Sequence, residues 1–504
     1  MSAINRRTQR VVTDSEDDFV EIRQRQRHDL QLSRRSQTPP IAEKDEDETK
    51  TKSKRKLISN TVSIPYIHTA PIHVISKPSV LSKEAPPVEG GYHGFIRLGM
   101  LVLGASNIRL IIENYMKYGL LIKLPHSYIP YQDYGLFVLA WVSVPISIVS
   151  AFLIEWLMAK IAMHIKSQKE DSRPKITSIE VLAGIFHCMH LLFLMIYPSY
   201  IVYTKIYHPM VGSAALVIAL ILFLKLTSYA LVNRELREMY LTDNGDAPGG
   251  SHKYPNNIAI PNILYFWWAP TLCYQPSYPR SPRFRTTFFL KRVSELVVCL
   301  VTMYLLAEQY AKPTLENSLK ALEEHNYVVI VERVLKLSTT AVVIWLLMFY
   351  ALFHAFLNAL SEVLLFGDRT FYLAWWNSNN LGSYWRLWNR PVYLFFKRHV
   401  YLPSVQRGFP PLLGQFVVFF ISALLHEVLV GIPTHALTGF AFWGMLGQIP
   451  LIAITKPLEK WRGKGSGLGN TIFWITFCVV GQPTIALLYY YQWAAAHKQV
   501  SAPI

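Results

Sequence analysis

The strongest constraint on this chain is a series of apolar runs, several longer than the roughly 18 residues needed to cross a bilayer core. Residues 134–159 form one, and 416–430 with their flanks form another. In lipid the backbone must satisfy its own hydrogen bonds, so such runs fold as helices. Only 16% of the residues are charged and 51% are hydrophobic, against about 25% charged in ordinary soluble domains. A string of soluble domains is therefore excluded in favour of an all-α, polytopic membrane protein. Nine transmembrane helices are predicted: 94–113, 134–159, 178–203, 210–232, 286–309, 327–365, 411–431, 436–455 and 470–495. The sixth is too long for a plain span and is expected to tilt or bend.

Two units follow. Residues 1–92 read as a disordered tail, with an acidic run at 43–48, a basic run at 50–56 and no helical periodicity. Residues 93–504 form the membrane core. The chain opens without an apolar segment and cleavage site, so no cleaved signal peptide is expected. The loops at 160–177, 233–285, 366–410 and 456–469 share the tail's side. They carry more than three times the Lys and Arg of the opposite loops. The positive-inside rule then puts the N-terminus in the cytoplasm, and nine spans put the C-terminus across the membrane.

The net charge is +17, but the tail holds 16 basic and 13 acidic residues and contributes only +3 of it. The excess sits in loops beside the membrane, so a nucleic-acid partner is not expected. Cys188, Cys273, Cys299 and Cys478 form no CxxC pair, and neither a disulfide framework nor a metal site is predicted.

Several polar residues sit where water is scarce. His426 lies in FFISALLHEVLVGI (419–432), with Ser422 one turn earlier on the same face and Glu427 next in sequence. A neutral imidazole can act as general base; it can equally hydrogen-bond a neighbouring helix. His354, Asn358 and Glu362 recur every four residues in the sixth span, as a polar lining or as a packing seam. Asn377, Asn389, Gln448 and Gln482 are amides that could stabilise an oxyanion or bridge helices. Arg386, Arg390, Lys397 and Arg398 lie among Trp385, Trp388 and Tyr401. That mixture suits a phosphate-bearing nucleotide or anionic lipid headgroups. The glycines of 463–469 lack the context of a phosphate loop.

These residues and their order resemble the membrane-bound O-acyltransferases, and within them the branch that acylates diacylglycerol. The pieces are SNIRLIIENYMKYG (106–119), APTLCYQ (269–275), YPRSPRFR (278–285), FGDRTFYLAWWN (366–377), YWRLWNRPV (384–392), HEVLVGIP (426–433), FWGMLGQIPL (442–451) and VVGQP (479–483). The chain departs from the family pattern at Ala374, where the family has aspartate, and at Tyr393, where it has histidine.

The resemblance implies a ring of helices around a buried chamber and an acyl-CoA:1,2-diacylglycerol O-acyltransferase that makes triacylglycerol. His426 and Asn389 are the implied catalytic residues. The implied acyl-CoA contacts are Asn377, Trp385, Arg386, Leu387, Trp388, Arg390, Pro391, Val392, Tyr393, Tyr401 and Gln415. The implied acceptor-side or supporting residues are Ser422, Glu427, Met445, Gln448 and Gln482. Acyl-CoA is a substrate, no cofactor is needed, and the partners are diacylglycerol, membrane lipids and further copies in a homodimer or homotetramer. The implied location is the endoplasmic reticulum membrane. A sterol O-acyltransferase shares the chemistry with another acceptor, a wax-ester synthase is a broader version of it, and a multi-pass transporter is the reading from a different class.

Overall fold

The computed structural model describes residues 73, 75–80, 82, 93–116, 131–168, 173–242, 253–462 and 468–500. The predicted tail before residue 73 lies outside the described residues. Within them, the chain forms helices: α1 (His93–Met116), α2 (Tyr131–Trp141), α3 (Ser143–Gln168), α4 (Arg173–Lys205), α5 (Pro209–Thr242), α6 (Ile260–Trp268), α7 (Thr286–Leu306), α8 (Lys312–Glu316), α9 (Leu319–Glu323), α10 (Tyr327–Phe349), α11 (Leu357–Val363), α12 (Leu381–Leu387), α13 (Arg390–Phe396), α14 (Leu402–Gln406), α15 (Pro411–Gly431), α16 (Phe440–Leu446), α17 (Gln448–Arg462), α18 (Leu468–Phe473) and α19 (Gln482–Val500). Pairing of extended backbone is limited, among the described residues, to isolated bridges between Lys77 and Asp368 and between Arg280 and Phe366. The chain is an all-helical, multi-pass membrane protein.

Among the described residues, six helical segments are long and apolar enough to cross a membrane: Gln132–Ser167, Ser178–Lys205, Pro209–Thr242, Tyr327–Val363, Pro411–Gly431 and Leu468–Ala495. The other three predicted spans are helical but fall short. In α1 the apolar stretch is only Gly94–Ser106. Early in α7, Lys291, Arg292 and Glu295 break the apolar run. The 436–455 span is divided at Gly447 into α16 and α17, and charges fill the end of α17.

The sixth span bends as its length requires. A π-helical segment, Tyr350–Phe356, joins α10 to α11. Further π segments are Ala307–Ala311, Lys397–Tyr401 and Trp474–Gly481. Each leaves a turn with the wider i→i+5 bonding. Asparagines start several helices by accepting from the backbone: Asn326 from Val329, Asn380 from Ser383 and Asn389 from Val392.

The core has two large parts beside smaller clusters. Around α3–α6 it is mostly aliphatic, with Tyr229, Phe266 and Tyr274 among its buried rings. The other part joins α1, α10, α12 and α18 through Trp345, Phe349, Trp375, Trp376, Tyr384, Phe473 and Trp474. Backbone packs directly on the 375–379 segment from two sides. A Cβ on Gly94 would lie 1.5 Å from the Trp376 carbonyl oxygen, and one on Gly469 would lie 1.8 Å from that of Asn379. Only glycine fits at either place.

Candidate active site

His426 sits near the end of α15. Its Nδ1 is 2.7 Å from the Ser422 carbonyl oxygen and 3.4 Å from the Ser422 hydroxyl. A carbonyl only accepts, so the short contact requires the hydrogen on Nδ1. In the neutral ring Nε2 then carries the lone pair and points away from the helix. The His426 side chain is accessible by surface area although protein surrounds it on nearly every side. Gln415 and Phe419 share its helical face, and Gln415 lies about 16 Å away along the axis.

Glu427 has a different duty. Its Oε1 accepts from Gly439 N–H at 2.9 Å; its Oε2 accepts from Phe442 N–H at 3.1 Å and from the Tyr489 hydroxyl at 2.7 Å. The carboxylate therefore holds the N-terminus of α16 to the end of α15 and to α19. Gly431 leaves room for it, since a Cβ there would lie 2.7 Å from Oε1. Sequence reasoning missed Tyr489, which lies in an apolar run without a motif. Met445 is buried, and Gln448 donates to the Gly444 carbonyl at 3.1 Å. Gly444 packs on Ile485, where a Cβ added to the glycine would lie 2.6 Å from the isoleucine Cδ1. Gln448 and Gln482 lie one turn from that contact, on α17 and α19 respectively.

The aromatic loop is closed by its own backbone. Leu373 N–H donates to the Leu387 carbonyl at 2.9 Å, and Arg390 N–H donates to that of Phe371 at 3.0 Å. Asn389 is fixed in this closure. Its Oδ1 accepts from Val392 N–H at 3.2 Å and caps α13, which turns its NH₂ group away from the helix. Pro391 occupies the first turn of α13, and Phe395 and Phe396 belong to a buried cluster against which Val392 of α13 and Val418, Ile421 and Leu425 of α15 pack. This packing brings the loop and the His426 helix together. Tyr401 lies on Gly414 of α15, 3.1 Å from where a Cβ would be.

Other predicted residues separate by task. Asn377 Oδ1 accepts from Gly94 N–H at 3.0 Å, fastening the start of α1. Trp388 stacks on Trp345 and Tyr384, at 5.5 and 5.9 Å, and Trp385 meets Phe419 edge-on at 6.1 Å. Arg386 is exposed and donates to Ser383 Oγ at 3.1 Å. Arg390 and Lys397 flank the Tyr393 ring at 5.4 and 5.8 Å. Ala374, at the family's aspartate position, starts the short 3-10 turn Trp375–Asn377 and packs against the tryptophan core.

The stripe His354, Asn358 and Glu362 is a hydrogen-bonded seam. His354 Nδ1 meets the Tyr372 hydroxyl at 2.8 Å and Ser79 Oγ at 3.2 Å. Asn358 donates to the His354 carbonyl, and Glu362 binds Arg285 and Arg369. Buried Lys225 donates to the carbonyls of Phe266, Trp267 and Ala269 at the end of α6. Burial pushes the Cys273 thiol up to about 12, which leaves it protonated and a poor nucleophile.

Residues 73 and 75–80 fall in the predicted tail yet pack on two loops. His73 Nδ1 meets Asp368 at 2.8 Å and its Nε2 meets Thr271 Oγ1 at 2.7 Å. Lys77 N–H donates to the Gly367 carbonyl, and Arg369 N–H donates to that of Lys77.

The family profile of the membrane-bound O-acyltransferases matches residues 109–492. Diacylglycerol O-acyltransferase 1 of Corylus americana is 36% identical over 435 residues, covering 85% of this chain and 77% of that protein. Diacylglycerol O-acyltransferase 1C of Glycine max is 35% identical over 431 residues, covering 84% and 80%. Diacylglycerol O-acyltransferase 1 of Arabidopsis thaliana is 36% identical over 428 residues, covering 84% and 78%. With the match running from α1 to α19 and taking in the whole His426 site, this chain belongs to the membrane-bound O-acyltransferase family.

Proposed function

We propose that this chain transfers a fatty acyl group from acyl-CoA to the free hydroxyl of 1,2-diacylglycerol, giving triacylglycerol and CoA. The observation that carries the reading is His426, whose Nδ1 is held by the Ser422 carbonyl so that Nε2 remains as base. The names of the relatives support the acceptor.

The acceptor hydroxyl gives its proton to His426 Nε2 as its oxygen attacks the thioester carbon. The tetrahedral intermediate carries negative charge on the former carbonyl oxygen. Asn389 and Gln482 supply amide donors to that charge. Collapse breaks the carbon–sulfur bond, and the leaving thiolate takes the proton back from His426. The ester and CoASH leave, and the imidazole is regenerated. Transfer is direct within a ternary complex, and Ser422 supports His426 rather than carrying the acyl group. The reaction is redox-neutral and needs no electron carrier.

Acyl-CoA binds along the loop from Trp385 to Tyr401 and the Gln415 end of α15, from the cytoplasmic side. Diacylglycerol meets Met445, Gln448 and Gln482. The protein works in the endoplasmic reticulum membrane as a homodimer or homotetramer, with the N-terminus cytoplasmic and the C-terminus lumenal.

The test offers purified full-length protein labelled oleoyl-CoA with equal amounts of diacylglycerol and cholesterol in one detergent preparation. Labelled triacylglycerol as the main product is expected. Sterol ester as the main product overturns the acceptor assignment, and the absence of any labelled ester overturns the acyl-transfer reading.

A further inference from the structure

The span that carries Gln482 changes its helical register just before that residue. The π segment Trp474–Gly481 lies between α18 and α19, and the Gln482 N–H bonds to the Phe477 carbonyl, five residues back. Gln482 therefore stands one turn above Phe477. In an uninterrupted α-helix five residues advance by about 500°, which would leave the two side chains about 140° apart.

The two ends of this span are held by different partners. Before the π turn, Phe473, Trp474 and Cys478 are buried in the tryptophan core, and Asn470 donates to the carbonyls of Trp376 and Ser378 at 2.9 and 3.1 Å. The Phe477 ring meets Tyr384 at 5.6 Å and Trp385 at 5.9 Å. After the turn, Ile485 lies against Gly444. The Tyr489 hydroxyl donates to Glu427 at 2.7 Å and accepts from Ala441 N–H at 3.0 Å. One end is thus fixed to the aromatic loop and the other to the helix of His426. The register change between them sets the face on which Gln482 emerges.

Gly481 is the residue that permits this register. A Cβ there would fall on the Thr476 carbonyl oxygen, five residues back, well inside contact distance. Alanine is the best-tolerated residue of an ordinary α-helix, so the obstacle belongs to the π register. Pro483 acts in the same sense. It has no N–H, so the α-helical bond from residue 483 to the Val479 carbonyl cannot form, and a return to α geometry regains one bond fewer. Single π turns recur at functional sites, and this one adjoins the residue whose amide the reaction uses.

We propose that Gly481 is a positioning residue for acyl transfer. The side chain it lacks lets the π turn close, and the turn puts the Gln482 amide on the face toward Phe477 and the Trp385 loop. Gly481 itself touches no substrate. The inference rests on the reading of Gln482 as a donor to the tetrahedral intermediate.

Steady-state kinetics of purified variants with matched thermal melts test it. Gln482→Ala should lower kcat about 10²-fold, as when an oxyanion donor is removed. Gly481→Ala should lower kcat about tenfold or more, since misplacing a positioned group by about 1 Å can cost 10²-fold. Its KM for acyl-CoA should stay near the parent's, because the cations of the aromatic loop are untouched. The double variant should be no slower than Gln482→Ala alone, because no amide remains to be misplaced. A glycine that only supports the fold would instead multiply the two losses. Deleting Val480, which is 46% exposed, in the Gly481→Ala background covers the case in which Gly481→Ala alone does not fold. The deletion removes the extra residue of the π turn, restores the α register and keeps Gln482 on its face, so most of the parent's kcat should return. The parent's kcat in Gly481→Ala, losses that multiply in the double variant, or a folded but inactive deletion variant overturns the inference and leaves the Gln482 assignment standing. The parent's kcat in Gln482→Ala overturns both.

Discussion

His426 Nδ1 lies 2.7 Å from the carbonyl oxygen of Ser422, one turn before it on the same helix, and 3.4 Å from the Ser422 hydroxyl. The backbone, rather than the serine side chain, thus sets the tautomer. His426→Ala should reduce turnover by about 10²–10⁴-fold, the range for losing a general base, in a protein that still folds. Ser422→Ala should stay within a few-fold of the parent, because the carbonyl is untouched. Rates from purified variants with matched thermal melts decide it; a well-folded His426→Ala with near-normal turnover removes the base assignment.

Asn389 combines two functions that substitutions can separate. Its Oδ1 caps α13, and its NH₂ group is the proposed donor to the substrate. Asn389→Ala loses both and should cost about 1 kcal/mol in stability, as cap removals do. Asn389→Asp keeps a capping oxygen and loses the NH₂ donor. Both variants should lose about 10²-fold in turnover, as when an oxyanion donor is removed, while Asn389→Asp melts near the parent. Full activity in Asn389→Asp would leave the residue only its capping role.

The helical class was legible because apolar length is a property of sequence alone. The number of spans was less so. In α7, Lys291 and Arg292 interrupt an otherwise apolar run, and their partners Glu295 and Phe288 emerge only on folding. His426 stood out as a candidate from its isolation in an apolar run, and the order of the motifs pointed to the family. The duties of its neighbours were not. Glu427 is adjacent to His426 in sequence, yet a helix turns successive side chains by about 100°, and its bonds go to Gly439, Phe442 and Tyr489. Asn377 stands out in its motif, but the motif does not show that its Oδ1 accepts from Gly94, 283 positions away. Residues 73 and 75–80 show no helical pattern in sequence, and their packing comes from backbone bridges and from His73, signals that a polar segment does not display.

The His73–Asp368 contact makes the docking of 73–80 sensitive to acid. Burial pushes the Asp368 carboxyl up, but the bond and charge of His73, Lys77 and the Thr370 N–H outweigh it and hold the carboxyl below its ordinary value of 3.8. The folded state therefore binds this proton less tightly than the unfolded state. Docking is stabilised above the ordinary carboxylate range and weakens as pH falls below it toward the lowered folded value. Protection of the Lys77 and Arg369 amides from hydrogen exchange, relative to the intrinsic rate at each pH, should fall on acidification below about pH 4, and Asp368→Asn should lower it at neutral pH. Removing 1–72 should leave acyl transfer intact, whereas removal through 82 should lower the melting temperature. Identical melts for the two truncations would show that the contact contributes no stability.

The last prediction concerns the cations of the aromatic loop, where anchoring to lipid and binding of acyl-CoA give different kinetics. Arg390 and Lys397 both lie over the Tyr393 ring, at 5.4 and 5.8 Å, which gathers positive charge at the start of α13 where a phosphate could meet it. Arg386 is exposed on α12, with Ser383 Oγ as its partner at 3.1 Å, so little reorganisation is needed for it to reach a phosphate. Acyl-CoA carries several phosphate charges, and hydrogen bonds to charged groups are worth about 1.5–3 kcal/mol. Arg386→Ala should therefore raise the KM for acyl-CoA about tenfold or more, with kcat nearly unchanged, because the guanidinium is remote from the bond being broken. Arg390→Ala should raise it further, since the ring that orients Arg390 remains in place without its cation. The effect should shrink as salt is added, because exposed charges are screened beyond about 8 Å at physiological ionic strength. A lipid anchor behaves otherwise: its loss alters retention in vesicles and leaves the KM in detergent as it was. An unchanged KM for both variants in detergent would remove this loop from the acyl-CoA site.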